Sequence, residues 1–210
     1  MAKLLHIQSS PQGERSYSLR AAKAFVDAYR QAHPKDTVRT IDLNNCDLPA
    51  FDGLALQAKY TILHGLAHSN EEKKAWQAVE KTIAEFTSAD KVVISAPMWN
   101  FGIPYRLKHY IDVIVQPSYT FSYSPEKGYT GLVTGRPALL ILARGGEYVA
   151  GEPSADPDIQ KAYLKLILGF IGFRKIDSLL IQPTLMGGKD TAEERLKRAM
   201  AEAREKAKMF

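Results

Sequence analysis

One short segment of this chain combines side chains and backbone groups that could bind a flat ligand. Ala96–Pro104 carries Trp99, Asn100 and Phe101, and it stands between an apolar run and a helical pattern. An aromatic residue beside an amide side chain and free backbone N–H groups suits a planar ring with polar edges. A strand, such a turn and then a helix would place these groups at the carboxyl end of a strand, where open α/β sheets bind their ligands.

A second segment, after the first predicted strand, contains Ser10, Ser16, Tyr17 and Ser18. Hydroxyl groups and backbone N–H groups at the start of a helix could cradle a phosphate, because the helix dipole favours an anion there. An ordinary serine N-cap would explain only one of the three serines. Neither G-x-x-x-x-G-K-[ST] nor G-x-G-x-x-G is present, so a mononucleotide phosphate fits better than a P-loop nucleotide or a dinucleotide.

A third segment, Ala143-Arg144-Gly145-Gly146, follows the fourth predicted strand. Two glycines let the backbone approach a ligand closely and turn its N–H groups inward. A glycine pair is also common in plain turns. The position of this pair at the end of a central strand, like the other two segments, favours a binding role.

Alternating strand and helix patterns predict an α/β fold with a parallel sheet covered by helices on both faces. We expect a flavodoxin-like, doubly wound five-stranded sheet of order 2-1-3-4-5, a small inserted hairpin within residues 117–131, and an irregular or weakly helical region from Asn44 to His68. The predicted strands are Lys3–Ile7, Thr37–Asp42, Lys91–Ala96, Ala138–Ala143 and Lys175–Gln182. The predicted helices are Ser16–Arg30, Asn70–Thr87, Pro104–Val115, Ile159–Phe170 and Thr191–Met209, with Asn70 as an N-cap and Thr191 and Glu194 as a capping box.

Length and composition favour one domain over residues 1–210, because 210 residues with 45% apolar and 24% charged residues are ordinary for a single globular unit. No apolar window approaches the length of a membrane span. The N-terminus lacks a secretory h-region, and the single Cys46 fits a reducing cytoplasm. The net charge is +5, but the basic residues are mixed with acids. On the last helix they form i,i+4 pairs, so we expect no nucleic-acid partner; the pairs are Glu193/Lys197, Glu194/Arg198 and Glu202/Lys206.

Together, the three segments resemble the FMN-dependent NADH azoreductases, which are bacterial flavodoxin-like enzymes related to the NAD(P)H:quinone reductases. The resemblance runs in order over essentially the whole chain and also includes Leu107-Lys108-x-Tyr110-x-Asp112, Thr120-Phe121-x-Tyr123, Gly131-Leu132-Val133-Thr134-Gly135 and Leu168-Gly169-Phe170-Ile171-Gly172. Two positions depart from the pattern. Trp99 stands where many members carry Tyr, and Ala143 stands where many carry Ser.

This resemblance implies one FMN per subunit, NADH or NADPH as electron donor, and a two-electron ping-pong reduction of quinones and azo compounds. The flavin would carry the chemistry, with no catalytic side chain and no metal. The cofactor-binding residues it implies are Ser10, Ser16, Tyr17, Ser18, Pro97, Met98, Trp99, Asn100, Phe101, Gly102, Ala143, Arg144, Gly145 and Gly146. Members are homodimers with active sites at the interface, and the implied substrate face consists of Trp99, Tyr119, Phe121 and Tyr123.

Two other functions stay open at this point. A flavodoxin-like electron carrier without a nicotinamide substrate of its own has the same fold, although such carriers tend to be acidic and this chain is basic. A basic module that binds nucleic acid is disfavoured by the mixed charges and by the absence of a recognisable reading helix. His64, His68 and His109 form no H-E-x-x-H or Cys/His motif, so we expect no metal site.

Overall fold

A computed structural model of the chain describes residues 1–63, 66–67, 69–149, 151–152 and 158–210. In these ranges the strands are β1 (Lys3–Gln8), β2 (Thr37–Asp42), β3 (Lys91–Pro97), β4 (Phe121–Ser124), β5 (Gly128–Gly131), β6 (Pro137–Ala143) and β7 (Lys175–Ile181). The helices are α1 (Tyr17–Ala32), α2 (Gly53–Leu63), α3 (Asn70–Thr87), α4 (Tyr105–Ile114), α5 (Ile159–Ile171) and α6 (Gly188–Met209).

Five of these strands form one parallel sheet in the order β2-β1-β3-β6-β7. When only the strands of this sheet are numbered, the order is the predicted 2-1-3-4-5. Neighbouring residues of a strand point to opposite faces of a sheet. Leu4 therefore packs with α1 and α6 on one face, whereas Leu5 packs with α3, α4 and α5 on the other. The sheet is covered on both faces, as the apolar runs predict.

All strands of a parallel sheet begin on one side and end on the other. We call the side where they end the carboxyl edge and the side where they begin the amino edge. The connecting helices run back against the strands, so α1, α4 and α5 begin near the carboxyl edge and end near the amino edge. Their N-terminal N–H groups, with a partial positive charge, therefore gather at the carboxyl edge.

The predicted hairpin is present, as β4 pairs with β5 in antiparallel fashion. It lies at the amino edge, where the end of α5 packs against it. Val133 N–H donates to the Ile171 carbonyl at 2.8 Å. Gly131 lies so close to Gly172 that an added Cβ would stand 2.3 Å from the Gly172 nitrogen. Only a glycine permits this backbone approach.

Two local predictions need correction. Ser69, not Asn70, is the N-cap of α3, and it forms a full capping box with Glu72. Thr191 is not a cap, because α6 begins at Gly188; its hydroxyl donates to the Gly187 carbonyl at 2.8 Å. Gly187 and Gly188 both have positive φ, which lets the chain enter the helix one turn early. Within the region predicted as irregular or weakly helical, α2 forms a helix.

The ion pairs of α6 agree with the predicted spacing at two of three places. Arg198 pairs with Glu194, and Lys206 pairs with Glu202. Glu193 instead pairs with Arg20 of α1, through two bonds of 2.8 and 3.0 Å. This bidentate contact ties the two helices on that face together. No described helix is long and apolar enough to cross a membrane.

Candidate functional site

Three loops meet at the carboxyl edge, and they carry the three segments singled out from the sequence. They are residues 9–16 after β1, 98–104 after β3 and 144–149 after β6, and these three strands are neighbours in the sheet. The second loop is bonded to the end of β6, directly before the third loop begins, because Met98 N–H donates to the Ala143 carbonyl at 2.8 Å. Parallel pairing therefore brings residues far apart in sequence to one site.

The serine loop ends in an ordered helix start. Ser16 is the N-cap of α1, since its Oγ accepts from Leu19 N–H at 3.3 Å. Its Oγ also lies 3.1 Å from the Ser18 Oγ. Ser10, Ser16 and Ser18 are all buried. Ser9 instead continues the pairing of β1 with β3, because its N–H donates to the Ser95 carbonyl at 3.1 Å.

Two backbone donors at this helix start are unpaired. In the described part of the chain, no acceptor meets the N–H groups of Tyr17 and Ser18, because one turn of helix is missing before them. Such groups need water or a ligand, and together with the helix dipole they favour an anion. The geometry therefore suits a phosphate group.

The second loop is a tight turn in an uncommon conformation. Trp99 and Gly102 exchange backbone bonds of 3.1 and 2.8 Å. The residues between them, Asn100 and Phe101, have φ values of 46° and 65°. Asn tolerates this left-handed region, whereas Phe pays roughly 1–2 kcal/mol for it. Strain of this kind is often found at functional sites.

This turn leaves polar and aromatic groups open to a ligand. Within the described residues, the N–H groups of Asn100 and Phe101 have no acceptor. Trp99 is 38% exposed and Phe101 is 51% exposed, which is high for aromatic residues. A groove of about 810 Å³ runs beside the turn, with Trp99, Tyr105 and His109 among its walls.

The third loop begins with a buried Arg144. Its carbonyl accepts from Thr184 N–H at 2.8 Å. The N–H groups of Gly145 and Gly146 have no acceptor among the described residues. An added Cβ at Gly145 would stand 2.8 Å from Leu185 Cδ1, a contact that the exposed Leu185 side chain can relieve by rotating away. The loop therefore presents two backbone donors beside the Trp99–Gly102 turn.

The side chain of Arg144 is buried and points into the protein, away from solvent. It donates to Asp158 and Gln160, at the start of α5. Burial lowers the pKa of its guanidinium, and the charge of Asp158 opposes that effect. Sequence reasoning missed Asp158 and Gln160. The only signal was an aspartate directly before a helical pattern, which indicates an N-cap and nothing more.

The implied substrate face is not one surface within a single chain. Trp99 lies at the carboxyl edge, whereas Tyr119, Phe121 and Tyr123 lie on or beside the hairpin at the amino edge. The ten residues of α4 separate them, a length of roughly 15 Å. This separation is not evident from the order of the residues. It arises because α4 runs antiparallel to the strands and carries the chain from the carboxyl edge to the amino edge.

The three hairpin residues also differ in their surroundings. The Tyr119 hydroxyl donates to Glu80 at 2.5 Å and accepts from Trp76 Nε1 at 3.2 Å, so it anchors the hairpin to α3. Burial and the Glu80 hydrogen bond raise the pKa of Tyr119. Phe121 packs on Phe170, with ring centroids 4.8 Å apart. Tyr123 is 63% exposed.

The histidines supply no clustered site in the described chain. His109 Nε2 lies 2.9 Å from the Pro49 carbonyl oxygen. His64 and His68 are outside the described residues. Among the residues that are described, no three His, Cys, Asp or Glu side chains are grouped as metal ligands.

Comparisons with known proteins agree with this geometry. A family model described as a flavodoxin-like fold matches residues 2–207. An FMN-dependent NADH:quinone oxidoreductase of Nitratidesulfovibrio vulgaris is 51% identical over 210 residues, which is 100% of both chains. The crystal structure of an azoreductase from Bacillus anthracis str. Sterne has a TM-score of 0.91 at 32% identity and covers 100% of both chains. An FMN-dependent NADH-azoreductase of B. anthracis str. Ames Ancestor, in complex with FMN, has a TM-score of 0.89 at 30% identity and covers 99% of this chain and 98% of that one.

Proposed function

Because the chain belongs to the flavodoxin-like family of FMN-dependent NADH:quinone oxidoreductases, we propose that it reduces quinones and azo compounds with NADH through bound FMN. The observation that carries this proposal is the meeting of three loops with unpaired backbone donors at the carboxyl edge. Each loop offers donors for a different part of one flat, phosphorylated ligand. The family relationship identifies that ligand as FMN.

The donor set fits FMN at three places. The Ser10 and Ser18 hydroxyls and the free N–H groups at the start of α1 suit the phosphate. The N–H groups of Asn100 and Phe101 suit the polar atoms along one side of the flavin ring. The N–H groups of Gly145 and Gly146 suit its pyrimidine edge. These donors are uncharged, apart from the partial charge of the helix start, so they orient the ring without an ion pair.

FMN would supply hydride transfer from the nicotinamide and two-electron transfer to the acceptor. The part played by the chain is to bind and orient. Met98 holds the turn against β6 through its bond to the Ala143 carbonyl, Pro97 lies opposite Ala143 in the sheet, and Gly102 closes the turn by bonding with Trp99. Trp99 and Phe101 form an aromatic wall for flat molecules. Gly145 and Gly146 place fixed dipoles where negative charge develops on reduction, which stabilises the reduced state.

The open face beside Trp99 would be used in turn by NADH and by the acceptor. The groove at the turn, about 810 Å³, is within the range of small-molecule sites. Use of one face by two substrates predicts ping-pong kinetics. Cleavage of an azo bond to two amines takes up four electrons and four protons, so two cycles with two NADH and two further protons are required.

We further propose a homodimer with an active site at each interface. The hairpin supports it, because Tyr123 and Tyr129 are exposed there, and Ile159 and Leu166 are exposed along α5, whose end packs against the hairpin. Isolated exposed aromatics are ordinary, but a group of this size on one side of a molecule is typical of an interface. Within one chain the hairpin is far from Trp99. Tyr119, Phe121 and Tyr123 would therefore serve the site of the partner subunit.

Residues 1–210 would act as one FMN-binding domain, since a single sheet carries all three loops. The unpaired thiol of Cys46 supports a reducing, cytoplasmic compartment. Basic and acidic residues are mixed on the surface. This supports small molecules as partners and argues against binding to nucleic acid or to a membrane. An electron carrier without its own nicotinamide substrate is the less favoured function, because the chain resembles enzymes named for NADH over its full length.

The test is reconstitution with FMN followed by turnover. The purified protein is loaded with FMN, and oxidation of NADH is followed with menadione or methyl red as acceptor. We expect a yellow protein, bleaching of the dye and parallel initial-rate lines. A yellow protein that does not oxidise NADH would favour the carrier. A protein that cannot take up FMN would contradict both functions, and intersecting lines would contradict a shared face.

A further inference from the structure

The loop with Gly145 and Gly146 is fixed to the protein by a buried ion pair. Arg144 donates from Nη1 to Oδ2 of Asp158 at 2.8 Å and from Nη2 to Oδ1 at 2.9 Å. The Arg144 side chain is 0% exposed and that of Asp158 is 8% exposed. Two parallel bonds between a guanidinium and a carboxylate fix orientation as well as distance. The residue directly before the two glycines is thus held in one place.

The same start of α5 is bonded to the Trp99–Gly102 turn. Gln160 N–H donates to the Phe101 carbonyl at 2.8 Å, and its Oε1 accepts from Arg144 Nε at 3.2 Å. Asp158 also caps α5 by accepting from Lys161 N–H at 3.1 Å. One helix start therefore links the two loops that would flank the flavin ring.

The far end of the glycine loop returns to the same arginine. Gln182 Nε2 donates to the Tyr148 carbonyl at 3.1 Å, and its Oε1 accepts from Arg144 Nη1 at 3.3 Å. The residues from Arg144 to Tyr148 are therefore held at both ends. The free N–H groups of Gly145 and Gly146 lie between these two fixed points.

A contribution to the stability of the fold does not by itself explain why an ion pair is buried here. Removing two charges from water is costly, and packed apolar side chains of similar volume often stabilise a fold as well or better. Apolar packing would not set the direction of the Arg144 backbone in the same way. Orientation of the loop is the property that the ion pair adds.

We propose that Arg144 and Asp158 are positioning residues that aim the N–H groups of Gly145 and Gly146 at the pyrimidine edge of FMN and so set the potential of the bound flavin. This inference rests on the proposed function. Fixed dipoles stabilise the reduced flavin more than the oxidised one, because negative charge appears at that edge on reduction. A loosened loop would therefore weaken binding of the reduced form most.

The test compares two variants with the wild type, each loaded with FMN. Asp158→Asn removes one charge but leaves a buried guanidinium unpaired, so it is at risk of unfolding. The double variant Arg144→Met/Asp158→Leu removes both charges together, so it leaves no unpaired charge in the interior, although it also removes the Asp158 cap of α5. The measurements are the dissociation constant of oxidised FMN, from quenching of its fluorescence, the midpoint potential of the bound flavin, and the melting temperature.

For the folded double variant we expect the affinity for reduced FMN to fall about tenfold more than that for oxidised FMN. That ratio corresponds to about 30 mV towards lower potential for a two-electron couple. The matched control is Lys91→Met/Asp36→Asn, which removes a partly buried pair at the amino edge, where the charged atoms are 3.7 Å apart. It should lower the melting temperature and leave the potential unchanged.

The outcomes are distinct. A lower potential in the double variant but not in the control supports the proposal. An unchanged potential and FMN affinity in a folded double variant would overturn it, since the pair would then be only structural. An equal shift in the control would overturn it too, because any buried pair would then have this effect. If the wild type itself does not bind FMN, the proposed function fails and this inference with it.

Discussion

The two edges of the sheet differ in how completely their backbone N–H groups are paired. At the carboxyl edge, the N–H groups of Tyr17, Ser18, Asn100 and Phe101 have no acceptor in the described chain. At the amino edge, backbone N–H groups beside the hairpin are paired, because those of Thr120 and Val133 donate to the carbonyls of Gln116 and Ile171. The difference marks one edge for a ligand and the other for packing.

The physical reason lies in the helices. Those that follow a strand of a parallel sheet begin at the carboxyl edge, so their unpaired N–H groups and positive dipole ends collect there. The amino edge receives helix ends, whose carbonyl groups are poor partners for a phosphate. The direction of the backbone thus makes the two edges chemically different, whichever side chains they carry.

The largest expected effect comes from disrupting the amino edge. Gly131→Ala would place a Cβ 2.3 Å from the Gly172 nitrogen, so the hairpin or α5 must move. We expect the free energy of unfolding to fall by about 3 kcal/mol, measured by urea denaturation. Acceptor turnover should fall more than FMN binding, because the backbone donors proposed to bind FMN lie at the other edge.

Gly169→Ala is the control for this substitution. It lies on α5 close to Gly172, and a Cβ there meets no described atom within 4 Å. It should raise stability by about 0.5–1 kcal/mol, since alanine favours a helix. Loss of FMN binding in a Gly131→Ala protein that keeps its native circular dichroism would show that the edges do not act separately.

A smaller effect is expected from acidification, which acts on the sheet that both edges share. His6 is buried on β1, with its Nε2 2.9 Å from Ser95 Oγ, and burial lowers its pKa from 6.5 to about 4. The neutral form is favoured in the folded protein. Its contribution to stability is therefore complete above pH 6.5 and is lost as the pH falls from 6.5 towards 4.

Between pH 7 and pH 5 this loss should reach about 2 kcal/mol, as measured by urea denaturation at both pH values. His6→Gln removes the titrating group, so its stability should change less over the same interval. Probes at the two edges should report one common transition. An equal pH dependence in His6→Gln would assign the loss to other groups.

The smallest effect should come from Trp99→Tyr, which tests the role of one exposed side chain at the carboxyl edge. The backbone donors of the turn remain, so the affinity for FMN should change less than about twofold, or 0.4 kcal/mol. The ratio of kcat/KM for azo and quinone acceptors should change several-fold, because the exposed side chain changes in bulk and gains a hydroxyl. Trp99→Phe separates these two causes. An unchanged ratio in both variants would place Trp99 away from the acceptor.

Much of the fold could be predicted from the chain itself. The apolar runs of β1, β3 and β6 and the helical patterns between them specify a covered parallel sheet, because no other arrangement buries them. The exact first residue of each helix was harder to predict from the sequence. Ser69 and Asn70 are both good N-caps, and the choice depends on which of them reaches Glu72.

The amino-acid sequence was enough to locate the three candidate segments: the serines before α1, the aromatic turn after β3 and the glycine pair after β6. Their residue types and their places after strands are local properties. The folded chain alone shows that Asp158 and Gln160 join two of these loops. It alone also shows that Trp99 is separated from Tyr119, Phe121 and Tyr123 by the length of α4. Both facts depend on which elements become neighbours in space, and that follows from the packing of the whole chain rather than from any segment of it.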